Sequence, residues 1–125
     1  MYAREWKCKV PLKWCKGFID YLYRTGVKDT SSTIGFNGAQ IFRREIDGKA
    51  EITLITYWDN LSSIEAFAGE DISKAKLYPE DYKYEIEPEL TVKHYEVLEH
   101  RFVFKFFSGY DYSEFFDCNF LSAWQ

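Results

Sequence analysis

Basic clusters and long apolar runs are both missing from this 125-residue sequence. Its 16 lysines and arginines are outnumbered by 20 acidic residues, which gives a net charge of -4, and they nowhere gather as phosphate contacts require. No apolar stretch approaches the roughly 20 residues of a membrane helix. No basic N-terminal segment precedes a long apolar run. We therefore expect neither nucleic acid nor a membrane as partner.

Cysteine and histidine are also scarce. The chain has three cysteines, Cys8, Cys15 and Cys118, an odd number without metal-type spacing. This pattern argues against a disulfide framework and favours a reducing cytoplasm. His94 and His100 lie six residues apart, on and beyond a predicted strand, where they do not meet metal-ligand geometry. The sequence has no Ser-His-Asp order and no phosphate loop. We expect no metal and no cofactor.

Aromatic residues, by contrast, make up 20% of the chain. Such rigid rings serve either to pack a core or to bind flat ligands. The segment YWDNLSSIEAFAGED, residues 57–71, places Trp58 at the end of an apolar run, directly before a helix that contains Phe67. Trp58 is expected either to fill the core or to line a pocket for a small aromatic molecule.

The spacing of apolar residues divides the chain into strands and helices. Strands are predicted over 2–9, 34–46, 50–58 and 91–98, and helices over 11–25, 62–68 and 72–78. Pro11 suits the first position of a helix and Gly26 its end. Asp47-Gly48 predicts a two-residue hairpin, and Ser62 with Glu65 predicts a capping box.

The resulting order is βαββαβ, the ferredoxin-like arrangement of an α+β protein with a four-stranded antiparallel sheet. The third strand is apolar on both sides, with Ile52, Leu54 and Trp58 on one face and Ile55 and Tyr57 on the other. Two helices cover only one face of such a sheet. A second copy of the chain would cover the other, so we expect a homodimer.

Several motifs in this order resemble the antibiotic biosynthesis monooxygenase-like superfamily of dimeric α/β barrels. They are AREW in strand one, YRTG at 23–26, the hairpin strands with Arg43 and Arg44, TYWDNLSSIEAFAGED, KLYPED and VKHYEV. The resemblance covers roughly residues 1–99, and the predicted domain spans residues 1–100. It implies a dimeric α/β barrel and a cofactor-independent monooxygenase whose substrates are molecular oxygen and a small phenol, quinol or polyketide-like molecule.

The haem-degrading branch of this superfamily fits less well. That branch uses an asparagine in the first strand and a histidine on the helix after the third strand. This sequence has Trp6 and Lys7 in the first region and Lys76, Leu77 and Tyr78 in the second. Haem degradation is therefore disfavoured.

Arg4 and His94 are the predicted catalytic residues. Arg4 lies between aromatic residues on one face of a strand, where its planar fork suits an anionic or enolate oxygen. The alternative is a salt bridge to a carboxylate such as Glu96, because buried charges are usually paired. His94 is a natural general base or hydrogen-bond donor near neutral pH, and its alternative role is that of a satisfied core histidine.

The residues expected to bind substrate are Trp6, Trp58, Asn60, Phe67 and Tyr78. In the implied mechanism the aromatic side chains hold the ring, while Arg4 and His94 create or stabilise the substrate anion. Pure core packing is the alternative for the rings. The carboxylates of Glu80, Asp81 and Glu85 are expected to form a solvated face.

Two other functions stay open: a non-catalytic dimeric small-molecule-binding or stress-related protein, and a structural dimer with a filled pocket. An open cavity lined by Arg4 and His94 would favour ligand chemistry. Residues 101–125 hold ten of the 25 aromatic residues, too many to leave in water without cost. We expect this C-terminal extension to pack on the domain or on the dimer partner.

Overall fold

The computed structural model describes residues 1–102. Its strands are β1 (Tyr2–Pro11), β2 (Phe36–Ile46), β3 (Lys49–Trp58), β4 (Glu87–Pro88) and β5 (Lys93–Glu96). Its α-helices are α1 (Cys15–Leu22), α2 (Lys28–Ser31) and α3 (Leu61–Ala68), with 3-10 turns over Leu12–Trp14 and Asp81–Tyr84 and a π-helix over Tyr23–Val27. No helix in this part of the chain is long and apolar enough to cross a membrane.

All five strands belong to one antiparallel sheet. Its order is β2-β3-β1, and both β4 and β5 pair with the free edge of β1. This arrangement confirms the predicted α+β, ferredoxin-like class. The last predicted strand, over 91–98, is shortened to β5, and β4 is an additional two-residue strand.

The predicted hairpin between β2 and β3 is confirmed. Asp47 and Gly48 have φ values of 52° and 76°, and a two-residue type I′ turn requires positive φ at both central positions. From this turn β3 runs antiparallel to β1 over its whole length. The central strands therefore carry the register that places the functional side chains.

The first helical segment is longer and less regular than predicted. Pro11 is the last residue of β1 and not the first of a helix, and Gly26 lies inside the π-helix, so that helical turns continue to Ser31. Near this end the hydroxyls of Ser32 and Thr33 donate to the carbonyl of Asp29. Side chains thus satisfy a carbonyl at the point where helices leave carbonyls unpaired.

Helix α3 begins one residue earlier than predicted, because Asn60 and not Ser62 caps it. The Oδ1 atom of Asn60 accepts hydrogen bonds from the backbone N–H and the hydroxyl of Ser63. Asparagine is as good an N-cap as serine. The helix ends as predicted before Gly69, whose φ of 93° favours glycine.

The helix predicted over 72–78 is wrong. This segment forms a turn and an extended stretch in which Lys74 bridges to Thr91. The carbonyls of Ile72 and Lys74 accept hydrogen bonds from the guanidinium of Arg4. In an α-helix those carbonyls would accept from N–H groups four residues further on. The buried guanidinium therefore competes with the helix for the same acceptors.

The core lies between the helical segment and one face of the sheet. Its buried members are Cys8, Val10, Cys15, Phe18, Ile19, Tyr21, Leu22, Ala50, Ile52 and Leu54. No described helix covers the opposite face, where Phe42 and Tyr95 are 48% and 47% exposed. Ile55 and Tyr57 lie half-buried on this face. The homodimer that would cover it stays a prediction.

The predicted packing of the aromatic extension over 101–125 falls on residues that, from position 103 onward, lie outside the described part. Arg101 and Phe102 are exposed. The domain boundary near residue 100 therefore stays a prediction as well.

Candidate functional site

A cavity opens between the helical segment and the covered face of the sheet. Its lining residues are Arg4, Trp6, Leu22, Gly26, Thr30, Leu54, Thr56, Phe67, Lys76, Tyr78, Asp81 and Val92. About 510 Å³ is free of atoms when the space is counted out to the open mouth, and the centre of a water molecule can reach about 40 Å³ of this space. The cavity is thus a narrow slot, and Lys76, an exposed lining residue, marks its mouth.

Arg4 lies at the buried end of this slot with only 5% of its surface exposed. Its Nη1 donates to the carbonyl of Ile72 at 2.6 Å and to Nε2 of His94 at 3.0 Å, and its Nη2 donates to the carbonyl of Lys74 at 3.0 Å. Burial lowers the pKa of Arg4 to about 10, so the group stays charged at neutral pH.

No carboxylate within residues 1–102 pairs with Arg4. The expected alternative, a salt bridge to Glu96, is not formed, and Glu96 is exposed. A guanidinium has five N–H donors, and the three bonds to Ile72, His94 and Lys74 leave two of them. The slot therefore ends at a buried cation whose charge is not balanced by any carboxylate within residues 1–102.

His94 lies on β5 directly opposite Arg4 in the sheet register. It is not one of the residues that line the cavity. Because arginine only donates, Nε2 of His94 must be the acceptor in their hydrogen bond, and the ring proton of the neutral imidazole is on Nδ1. Burial, and then the charge of Arg4, lower the pKa of His94. His94 is therefore neutral, and its hydrogen bond orients the Arg4 guanidinium from outside the slot.

Trp58 is fully buried behind the cavity wall and does not line it. Its Nε1–H donates to the Thr56 hydroxyl at 2.8 Å. Its ring stacks on Phe67 with centroids 5.7 Å apart, and it meets the edge of Phe36. Thr56 and Phe67 both line the cavity. Trp58 is thus a core residue that fixes two side chains of the site.

Trp6 and Tyr78 form aromatic parts of the wall, as expected. The Nε1–H of Trp6 donates to the carbonyl of Glu89 at 2.9 Å. The hydroxyl of Tyr78 donates to Oδ2 of Asp29 at 2.7 Å, and burial followed by this hydrogen bond raises the pKa of Tyr78. Both rings line the slot and are held in place by these hydrogen bonds.

The structure does not bring Asn60 to the cavity, although the sequence suggested it as a substrate-binding residue. Asn60 is exposed and its Oδ1 is used to cap α3. The same amide cannot serve both tasks, because the cap fixes its direction.

Lys76 is a site residue that the sequence reasoning did not assign. Its Nζ lies 4.6 Å from the ring centroid of Phe67 and donates to the Phe67 carbonyl at 3.3 Å. A cation over an aromatic face is attracted by the ring. The only sequence signal was its place in the KLYPED motif. Lys76 adds a second positive charge, at the mouth of the slot.

Asp81, from the same motif, was expected on a solvated face and instead lines the cavity, partly buried. Its Oδ2 accepts the backbone N–H of Tyr78 at 2.7 Å. Burial raises the pKa of Asp81. The neighbouring carboxylates Glu80 and Glu85 are exposed as expected.

Sequence comparison finds no relative: no protein-family model matches the chain, and neither does any curated protein. Structural comparison finds proteins with a similar fold. A substituted form of MhuD, crystallised with two manganese protoporphyrin IX molecules per active site, matches with a TM-score of 0.57 and 14% identity, over 82% of this chain and 100% of that one.

A second solved structure is a proposed antibiotic biosynthesis monooxygenase from Bacillus cereus. It matches with a TM-score of 0.55 and 13% identity, over 84% of this chain and 99% of its own. Identities this low establish the fold and not the activity. The described chain has the fold of the antibiotic biosynthesis monooxygenase-like proteins.

Proposed function

We propose that this protein is a cofactor-independent monooxygenase that binds a small acidic aromatic molecule, such as a phenol, a quinol or a polyketide-like ring, and oxidises it with molecular oxygen. The observation that carries the proposal is the buried guanidinium of Arg4, which has no carboxylate partner in residues 1–102 and lies at the end of an aromatic-lined slot.

Electrostatics favour an anion at this position. A buried charge costs free energy unless it is paired, and carbonyl dipoles only partly compensate Arg4. A phenolate or enolate oxygen reaching the remaining N–H donors would complete the pair with charge-assisted hydrogen bonds. The rings of Trp6, Phe67 and Tyr78 give the apolar walls that a flat ligand needs.

Arg4 and His94 have different roles in the proposed mechanism. Arg4 holds the anionic oxygen, and His94 keeps the guanidinium pointed into the slot. The anion is the form of the substrate that donates electrons to oxygen, and the charge of Arg4 favours its formation. One oxygen atom enters the product and the other leaves as water, and the substrate loses two hydrogens, so that it supplies all the electrons itself. No external reductant is required.

A porphyrin is a less suitable substrate. None of the residues that line the slot is a histidine, and its accessible space is about 40 Å³.

Oxygen uptake by the purified protein with a panel of phenols and quinols tests the proposal. We expect uptake with at least one member, unchanged by a chelator and without added flavin, together with a product that has gained one oxygen atom. Arg4→Gln is expected to lower the rate by about a hundredfold, since it removes the positive charge that pairs with the anion. Arg44→Gln is the matched control, because Arg44 is exposed and pairs with Glu51 away from the slot. No uptake with any member contradicts the proposal.

Non-catalytic ligand binding is the second candidate. It is favoured by the fact that Nε2 of His94 and the hydroxyl of Tyr78 are already used within the protein. Binding of a phenol with no oxygen uptake and no chemical change in the ligand would support this alternative.

The proposed working form is a homodimer in the cytoplasm. Support for the dimer is the uncovered sheet face that carries Phe42 and Tyr95. Cys8 and Cys15 are free, buried thiols, which suit a reducing compartment.

A further inference from the structure

The slot contains one carboxylate among its described lining residues, that of Asp81. Asp81 shares the cavity wall with Arg4 and Lys76, whereas the hydroxyl of Tyr78 points away to Asp29. A neutral phenol entering the slot must lose its proton before it can pair with Arg4 as an anion. The question is which group accepts that proton.

We propose that Asp81 is the general base of the site: its Oδ1 accepts the acidic proton of the bound phenol or enol, whose oxygen is then paired with Arg4. The inference rests on the proposed function and adds a residue to it. In this step the substrate O–H bond breaks, a new O–H bond forms on Asp81, and the electron pair stays on the substrate oxygen. No oxidation or reduction takes place.

The carboxylate is held in a fixed position by its own turn. The backbone N–H of Asp81 donates to the carbonyl of Tyr78 at 3.1 Å, and the backbone N–H of Tyr78 donates back to Oδ2 at 2.7 Å. The preceding peptide is also fixed, because the N–H of Glu80 donates to the hydroxyl of Tyr21 at 3.2 Å. One carboxylate oxygen is therefore anchored, and within residues 1–102 no hydrogen bond occupies Oδ1.

The other candidate bases are already used. Nε2 of His94 accepts from Arg4. The phenol of Tyr78 donates to Asp29, and its raised pKa keeps it protonated. The thiol of Cys8 does not line the slot, and its pKa is raised by burial and by the negative charge of Asp81.

The electrostatic environment brings the pKa of the bound phenol and the pKa of Asp81 closer together. Burial raises the pKa of Asp81, while the charge of Arg4, with that of Lys76, would lower the pKa of a bound phenol. Proton transfer is most efficient when the two pKa values approach each other. The exposed pair of Glu80 and Lys83 lies beside Asp81 in sequence and is bonded to itself.

The destination of the proton can be followed without turnover. Under anaerobic conditions 4-nitrophenol is titrated into the protein at a pH above the pKa of Asp81 and below that of the free ligand. The phenolate absorbs at a different wavelength from the phenol. Calorimetry in two buffers of different ionisation enthalpy counts the protons exchanged with solvent.

For the wild type we expect a bound phenolate and no net proton release, because the proton stays on Asp81. Asp81→Asn keeps an oxygen to accept the N–H of Tyr78 but loses the base. It should bind either the neutral phenol or the phenolate with one proton released to the buffer. Asp81→Glu should restore part of the wild-type behaviour, and Glu80→Gln, in the exposed pair, is the control.

An unchanged spectrum and proton count in Asp81→Asn would overturn the role of Asp81 while leaving the proposed anion site intact. A neutral phenol bound to the wild type would also overturn it. Failure of the wild type to bind any phenol would instead remove the proposed function itself. Should Asp81→Asn not fold, as judged by circular dichroism, the Asp81→Glu and wild-type measurements still decide.

Discussion

Nη1 of Arg4 on β1 lies 3.0 Å from Nε2 of His94 on β5, and the two residues are direct partners in the sheet register. This bond joins the first and the last strand at the buried end of the slot. The guanidinium is charged, and the imidazole ring must be neutral for its Nε2 to accept the hydrogen bond. Protonation of His94 is therefore linked to the stability of the fold.

Stability should fall at acidic pH through His94. Its pKa is lowered in the folded protein from the ordinary value of 6.5, so the unfolded chain binds the proton more readily. Stability from this group is present above about pH 6.5 and is lost as the pH falls through that range. Urea unfolding at a series of pH values measures the loss.

His94→Gln is the matched variant for this experiment. The glutamine carbonyl oxygen can accept from Arg4 but does not titrate in this range. We expect the acid-dependent part of the loss to be smaller in His94→Gln than in the wild type. Identical pH profiles for the two proteins would show that the Arg4–His94 bond does not carry this dependence.

Trp58 should matter for both stability and binding although it does not touch the cavity. Trp58→Phe removes the donor to Thr56 and leaves part of a fully buried site empty. We expect a loss of about 1–3 kcal/mol in the free energy of unfolding, with weaker phenol binding because Phe67 and Thr56 lose support. Trp14→Phe, at a partly exposed surface position, should cost less than about 0.5 kcal/mol.

Gly26 controls the width of the slot. It lies in a π-helix, a feature often found at functional sites, and a Cβ added there would meet Leu22 at 3.4 Å and Tyr78 at 3.8 Å. These are ordinary contacts, so Gly26→Ala should fold normally. Gly26→Leu should extend into the slot and weaken phenol binding by about tenfold or more, about 1.4 kcal/mol. Equal affinity in both variants would place the ligand elsewhere.

The sheet face that no element of residues 1–102 covers should be the dimer interface. Phe42→Glu would place a charge in an apolar contact and is expected to give a monomer in light scattering at micromolar concentration. Ile34→Glu is the control, because Ile34 is 94% exposed and precedes β2. A wild-type monomer, or a dimer that survives Phe42→Glu, argues against this interface.

Local patterns in the sequence were sufficient for β1, β2 and β3, because alternation and the Asp47-Gly48 turn depend on neighbouring residues. They failed over 72–78, where Arg4, 68 positions away from Ile72, takes the carbonyls that a helix needs. That irregular segment contains Lys76, and the 3-10 turn that begins at Asp81 follows it. The positions of Lys76 and Asp81 in the slot wall depend on long-range packing and were invisible to local spacing.

The aromatic residues predicted to bind substrate lie in different places. Trp6, Phe67 and Tyr78 line the slot, and their binding of a substrate stays a prediction. Trp58 and Asn60 do not line it, since burial and helix capping are met by the same residue types as ligand binding. Composition alone could not separate these uses.

The most direct test of the anion site compares two ligands that differ only in their ability to ionise. Calorimetric titration of 4-nitrophenol and of its methyl ether into the wild type and into folded Arg4→Gln gives four affinities. If Arg4 binds an aromatic anion, the wild type should prefer the phenol by at least about tenfold, and Arg4→Gln should lose this preference. Equal affinities of the wild type for the two ligands would contradict the anion site.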